Sequence, residues 1–186
     1  MLIGVLGGTF DPPHIGHTAL AQAAQSELGV DLVLWVVAEP WQKTAQTPGP
    51  IRAHLCELAI DGHSGWQVSY ADLERGAPTY SIDTISDLRA AWPEAGFVWL
   101  LGADAVAGLA SWHAAERVAA EVRFAAARRD GQVPAVPAGF AVQLLDAEIP
   151  SVSSTEVRRL VARGESVEGL VEPRVAQYIA EVGLYL

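Results

Sequence analysis

Apolar residues along the chain fall into short dense runs. Between them lie longer stretches in which apolar positions recur every three or four places. Residues 2–6 (LIGVL) form one run, closing on Gly7-Gly8, and predict a buried strand that enters a tight turn. Residues 31–38 (DLVLWVVA) are rich in β-branched side chains and predict a second buried strand. Residues 97–101 (FVWLL) predict another, closing on Gly102. Residues 66–73 alternate and read as a strand, and 124–127 and 141–145 are two more. Helical spacing runs over 18–28, 51–60, 81–92, 112–122, 154–163 and 173–182. Gly29 and Gly164 stand where two of these helices should stop, and Pro93 lies just past a third. Residues 130–139 are the most loop-like stretch. Strands alternating with helices predict an α/β fold: a Rossmann-like, doubly wound parallel sheet with helices on both faces, in a single domain over 1–186. Ligands of such sheets bind outside the carboxyl ends of the strands.

Composition narrows the function. The chain is 51% hydrophobic and 18% charged, enough to bury an ordinary core. No apolar run is long enough for a membrane span, and the first residues lack the basic start of a secretory signal. Cys56 is the only cysteine, which rules out an intrachain disulfide and suits a reducing cytoplasm. The net charge of −10 argues against nucleic acid as a partner. An anionic small molecule would need positive charge gathered locally against that field. Lys43 is the only lysine; arginine supplies the other eleven of the twelve basic residues. The sequence leaves oligomeric state open, a homo-oligomer included.

The densest chemistry is Gly7-Gly8-Thr9-Phe10-Asp11-Pro12-Pro13-His14-Ile15-Gly16-His17, at the first strand-to-helix crossover. Glycines let the backbone turn closely and leave room for a phosphate. His14 and His17, three apart at a helix start, project to one side. The helix start adds unpaired N–H groups and the positive dipole end. A second candidate is Ser153-Ser154-Thr155-Glu156-Val157-Arg158. Taken alone it is a capping box; its hydroxyls, amides and Arg158 also suit an anion.

GGTFDPPHIGH resembles the signature of the nucleotidyltransferase superfamily that contains the nicotinate-nucleotide adenylyltransferases. Residues 153–158 resemble that family's SSTxxR motif. Residues 75–84 (RGAPTYSIDT) resemble its acceptor segment, with Ala77 where a glycine is common and Ser81 where threonine is. Gly102-Ala103-Asp104 followed by Leu109 and Trp112 resembles its GAD…L..W segment. Glu39–Lys43 matches the position of its Pro-Pro-His-Lys segment.

The resemblance implies an activity: adenylyl transfer from ATP to nicotinic acid mononucleotide. His14, His17 and Lys43 would serve the reacting phosphates. Gly7, Gly8, Thr9, Phe10, Gly16, Gly102, Asp104, Ser153, Ser154, Thr155 and Arg158 would bind ATP. Thr79, Tyr80, Ser81, Trp112 and Arg129 would hold the mononucleotide, with Arg52 and Arg129 as candidates for its phosphate. No Cys/His/Asp cluster has metal-site spacing, so Mg²⁺ is expected to arrive on the ATP phosphates. Two other readings stand beside this one: adenylyl or cytidylyl transfer to another acceptor such as phosphopantetheine, and a nucleotide-binding module without catalysis. The HIGH motif also resembles that of class I aminoacyl-tRNA synthetases, but the chain is too short and too poor in lysine for one.

Overall fold

The computed structural model describes residues 1–40, 45–129 and 131–186. Its framework is one sheet of six parallel strands, in the order β3-β2-β1-β4-β5-β6. These are β1 (Leu2–Gly8), β2 (Leu32–Val37), β3 (Trp66–Ser69), β4 (Gly96–Leu101), β5 (Arg123–Arg129) and β6 (Val142–Ile149). β1 pairs with β2 on one side and β4 on the other, so the winding reverses between β1 and β4.

The alternation of side chains explains the continuous apolar runs. Val33, Trp35, Val98, Leu100, Ala125 and Ala127 point to one face of the sheet. Helices α1 (Ile15–Leu28), α2 (Gly49–Ile60), α7 (Ser154–Val161) and α8 (Pro173–Val182) pack there through residues such as Leu20, Leu55, Val157 and Ile179. Ile3, Val5, Leu34, Val36, Phe97 and Trp99 point to the other face. That face is covered by α4 (Ser81–Ala91), α5 (Ala103–Ala107) and α6 (Ala115–Glu121). A strand buried on both faces has no polar side to show. The sheet is therefore doubly wound.

Three expectations change in detail. The strand over 66–73 ends at Ser69, and Ala71–Arg75 forms a short helix, α3. Its sequence, ADLER, is made of helix-tolerant residues, with Asp72 and Glu74 suited to a helix start. The helix over 112–122 begins only at Ala115. A 3₁₀ turn, Leu109–Ser111, precedes it, Trp112 is extended, and Ala114 takes the left-handed φ of 54°. The first helix starts at Ile15 rather than at residue 18, because Gly16 and His17 continue the helix without adding to its apolar stripe.

Candidate active site

A cleft of about 590 Å³ opens at the carboxyl ends of the strands, across the junction of β1 and β4. The N-terminal ends of α1, α4, α5 and α7 all face it, through Gly16, Ser81, Ala103 and Ser154. Each such end carries unpaired N–H groups and partial positive charge. Arg129 and Arg158 line the same space. Asp11, Asp72 and Asp104 line it too, so the helix starts and the two guanidiniums supply its positive charge among acidic neighbours.

The β1–α1 loop is shaped by close packing. A Cβ on Gly7 would sit 3.1 Å from the Trp99 ring. Phe10 takes a left-handed φ of 49°, is buried, and stacks on Trp35 at 5.2 Å between ring centroids. Its ring also meets His17 edge-on at 4.9 Å. His14 is the N-cap of α1, and its ring stacks on that of His17 with centroids 3.7 Å apart. A Cβ on Gly16 would lie 3.0 Å from His14 Nδ1 and 3.3 Å from the Pro150 carbonyl oxygen. Glycine at 16 therefore lets the His14 ring and the β6–α7 turn close on the same spot.

The protonation of the pair follows from its surroundings. Burial, reinforced by the nearby Arg129 guanidinium, lowers the His14 pKa to about 4, so this ring is neutral near pH 7. The His14 backbone N–H donates to His17 Nδ1 at 3.1 Å. Nδ1 is then an acceptor, and the His17 proton resides on Nε2 as a donor.

Helix α7 is fastened to the same loop. Ser153 caps it by accepting the Glu156 N–H at 3.1 Å. Ser154 Oγ donates to the Pro12 carbonyl at 2.8 Å, and Arg158 Nη1 donates to the Asp11 carbonyl at 2.6 Å. Arg158 Nε is buried with no hydrogen-bond partner among the described residues.

On the opposite wall, Thr79 Oγ1 donates to the Glu39 carbonyl at 3.0 Å. Thr84 Oγ1 donates to the buried Asp72 carboxylate at 2.7 Å, and Arg75 Nη1 reaches the same oxygen at 2.9 Å. Burial raises the Asp72 pKa against the pull of these two partners. The network pins the first turn of α4. The left-handed turn of this segment falls on Gly76, with φ 77°, so Ala77 bears no strain of that kind. Trp112 lines the cleft between edge-on contacts to Trp99 at 6.0 Å and Phe124 at 6.3 Å. Asp104 has an exposed side chain 3.9 Å from Arg129 Nη1, and Arg129 Nε donates to Ser151 Oγ at 3.2 Å.

The described residues expected at the site converge on this cleft, with two exceptions, Tyr80 and Arg52. The Tyr80 side chain lies beside His113, with ring centroids 4.2 Å apart, and only its neighbours Thr79 and Ser81 line the space. Lys43 lies outside the described residues. Arg52 departs from expectation. It is fully buried, and it donates to the carbonyls of Thr47, Thr9 and Ala38 at 3.0, 2.6 and 2.8 Å and pairs with Glu39 at 3.0 Å. It ties loops together beneath the cleft and is not placed for the acceptor phosphate. Arg52→Met should strand three carbonyls and Glu39, costing about 3–5 kcal/mol. Thermal unfolding should show a fall in Tm of roughly 10 °C. Asp11, Asp72 and Thr84 line the cleft without having been singled out as ligands. Asp11 and Thr84 lie inside the motifs, whereas Asp72 lies outside all of them.

Strand order, the site at the reversal point and the ring of helix starts define a nucleotide-binding α/β protein. A family model described as cytidylyltransferase-like matches residues 5–160, which puts the chain among the nucleotidyltransferases. A relative from Exiguobacterium sibiricum, described as a probable nicotinate-nucleotide adenylyltransferase, is 38% identical over 187 residues, covering 100% of this chain and 99% of its own. One from Bordetella petrii with the same description is 41% identical, covering 98% of each chain. The chain belongs to the nicotinate-nucleotide adenylyltransferase family. Its fold is shared with a Plasmodium falciparum nicotinic acid mononucleotide adenylyltransferase complexed with NaAD, at 22% identity and a TM-score of 0.78, covering 99% of this chain and 97% of the other.

Proposed function

We infer that the chain joins the adenylyl group of ATP to nicotinic acid mononucleotide, releasing pyrophosphate and forming deamido-NAD. The observation that carries this reading is one cleft lined by two differently built groups of residues. One group is the histidine pair, the α7 start and Arg158; the other is Thr79, Ser81 and Trp112. The first suits a triphosphate and the second a flat ring bearing a carboxylate.

The acceptor phosphate is already ionised near neutral pH, so no strong general base is required. One of its oxygens attacks the α-phosphorus in line. The new P–O bond forms as the bond to the β-phosphate oxygen breaks. Catalysis rests on positioning and on neutralising charge. His17 Nε2–H donates to the α-phosphate, where charge develops. His14 supports it as a neutral stacked ring and faces the neighbouring phosphate. Amides and hydroxyls at Ser153–Thr155, with Arg158, hold the departing pyrophosphate. Gly102 lets the nucleotide approach the end of β4, and Asp104 accepts from ribose hydroxyls. Arg129 meets the acceptor phosphate, exchanging its long contact with Asp104 for a dianion. Lys43 is assigned to the phosphates on its sequence motif alone. Mg²⁺ enters with ATP as part of the substrate. Among the described residues, no cluster of three His, Cys, Asp or Glu could hold a metal.

Pyrophosphate release should be measured with MgATP and a panel of acceptors. Turnover is expected with nicotinic acid mononucleotide. Turnover only with phosphopantetheine or another phosphate would reassign the acceptor, and none with any would reduce the chain to a binding module.

A further inference from the structure

The last turn of the chain reaches the catalytic loop. Helix α8 stops at Gly183 with φ 66°, and Tyr185 takes φ 68°, which bends the terminal residues back toward the sheet. The Tyr185 hydroxyl donates to Asp11 Oδ1 at 2.9 Å, across 174 positions of sequence. The other oxygen, Asp11 Oδ2, accepts the Gln46 N–H at 2.7 Å. Asp11 is only 4% exposed, and its own carbonyl is the one that Arg158 grips. This single residue therefore joins four parts of the molecule: the loop that precedes the histidines, the segment after β2, helix α7 and the C-terminal tail.

The segment after α8 is held by the Leu184 N–H bond to the Ile179 carbonyl and by packing of Leu184 and Tyr185 on the core. The Tyr185 phenol is pushed above its usual range by burial, then by the adjacent Asp11 carboxylate, with Thr47 and Arg158 acting the other way. It therefore stays protonated as a donor. Asp11 stands three residues before His14, and strained Phe10 stands just before it. A loop of that shape keeps its geometry only while its anchors hold.

We propose that Tyr185 is a positioning residue, whose bond to Asp11 holds the Phe10–His14 loop so that His14 and His17 meet the ATP phosphates in register. The proposal rests on the adenylyl-transfer reading for its effect on turnover, and its structural half can be read independently. Tyr185→Phe keeps the ring and removes only the hydroxyl, which also bonds the Thr47 side chain. It should lower kcat about 10- to 100-fold, the range expected for a small misplacement of catalytic groups. The acceptor KM should stay within about twofold, because the Thr79–Ser81 wall does not touch this network. Asp11→Ala removes the acceptor of the same bond together with that of the Gln46 N–H, so the double variant should be little worse than Asp11→Ala alone. Leu186→Ala, at a side chain that is 88% exposed, should behave as the parent. In ligand-free protein, exchange of the His14 amide, which is bonded to His17 Nδ1, should quicken on the order of tenfold in Tyr185→Phe. Exchange in the core strands should not change.

Unchanged kcat in Tyr185→Phe, fully additive single variants, or exchange that quickens throughout the sheet would each overturn the proposal. If the parent protein itself fails to transfer adenylyl, the functional reading falls. The His14 exchange rate alone then decides whether the tail positions the loop.

Discussion

His17→Ala is expected to lower kcat about 100- to 1,000-fold, the usual loss when one preorganised donor to a charged transition state is removed. Affinity for ATP should change far less. The His17 proton is fixed on Nε2 by the bond that Nδ1 accepts from the His14 N–H at 3.1 Å. Phe10 and His14 hold the ring between them, so it pays no reorganisation when charge builds on the phosphorus. On the proposed reading the ground-state triphosphate would have other partners at the helix starts and Arg158. In the transition state this donor meets the oxygens whose charge grows. Steady-state pyrophosphate release together with calorimetric titration of ATP separates the two effects. A variant with normal kcat and weakened ATP binding would show that His17 only anchors substrate.

A second large effect should appear in the choice of acceptor. The enzyme is expected to favour nicotinic acid mononucleotide over its amide by about 100-fold or more in kcat/KM, since each charge-assisted bond is worth about 1.5–3 kcal/mol. The Tyr80 carbonyl accepts the N–H groups of Asp83 and Thr84 at 3.0 and 3.2 Å. The amides of Ser81 and Ile82, in the first turn of α4, have no place in the helix ladder. Thr79 and Thr84 are each pinned by a side-chain bond, which fixes the direction of those amides. A carboxylate supplies two acceptors to such a wall, whereas a carboxamide brings an NH₂ that can only donate. On the proposed reading Trp112 would stack on either ring and give no preference. Parallel kinetics with the two mononucleotides test this. Near-equal values would break the link between the α4 start and the nicotinate group.

Much of this architecture was legible from residue patterns, for physical reasons. Strands buried on both faces cannot hide among polar neighbours, so residues 31–38 and 97–101 stood out. The motif residues were visible because phosphate chemistry needs glycine, hydroxyl and imidazole at close spacing. Other features depend on distant partners and leave no local trace. Arg52 sits in an apolar helix with nothing beside it to reveal three carbonyl partners drawn from two other loops. The short helix Ala71–Arg75 holds only five residues, fewer than periodicity can resolve. Trp112 fits a helical spacing, yet the turn before it sends its backbone extended, which presents the ring to the cleft. The partner of Asp11 lies at the far end of the chain.

That last pairing separates the walls of the cleft from their support. Among the described residues, every side chain that lines the cleft lies between Leu6 and Arg158. The hydroxyl that holds Asp11 belongs to Tyr185, which lines none of it. A substitution at Tyr185 therefore acts on the histidine loop while leaving every lining side chain in place.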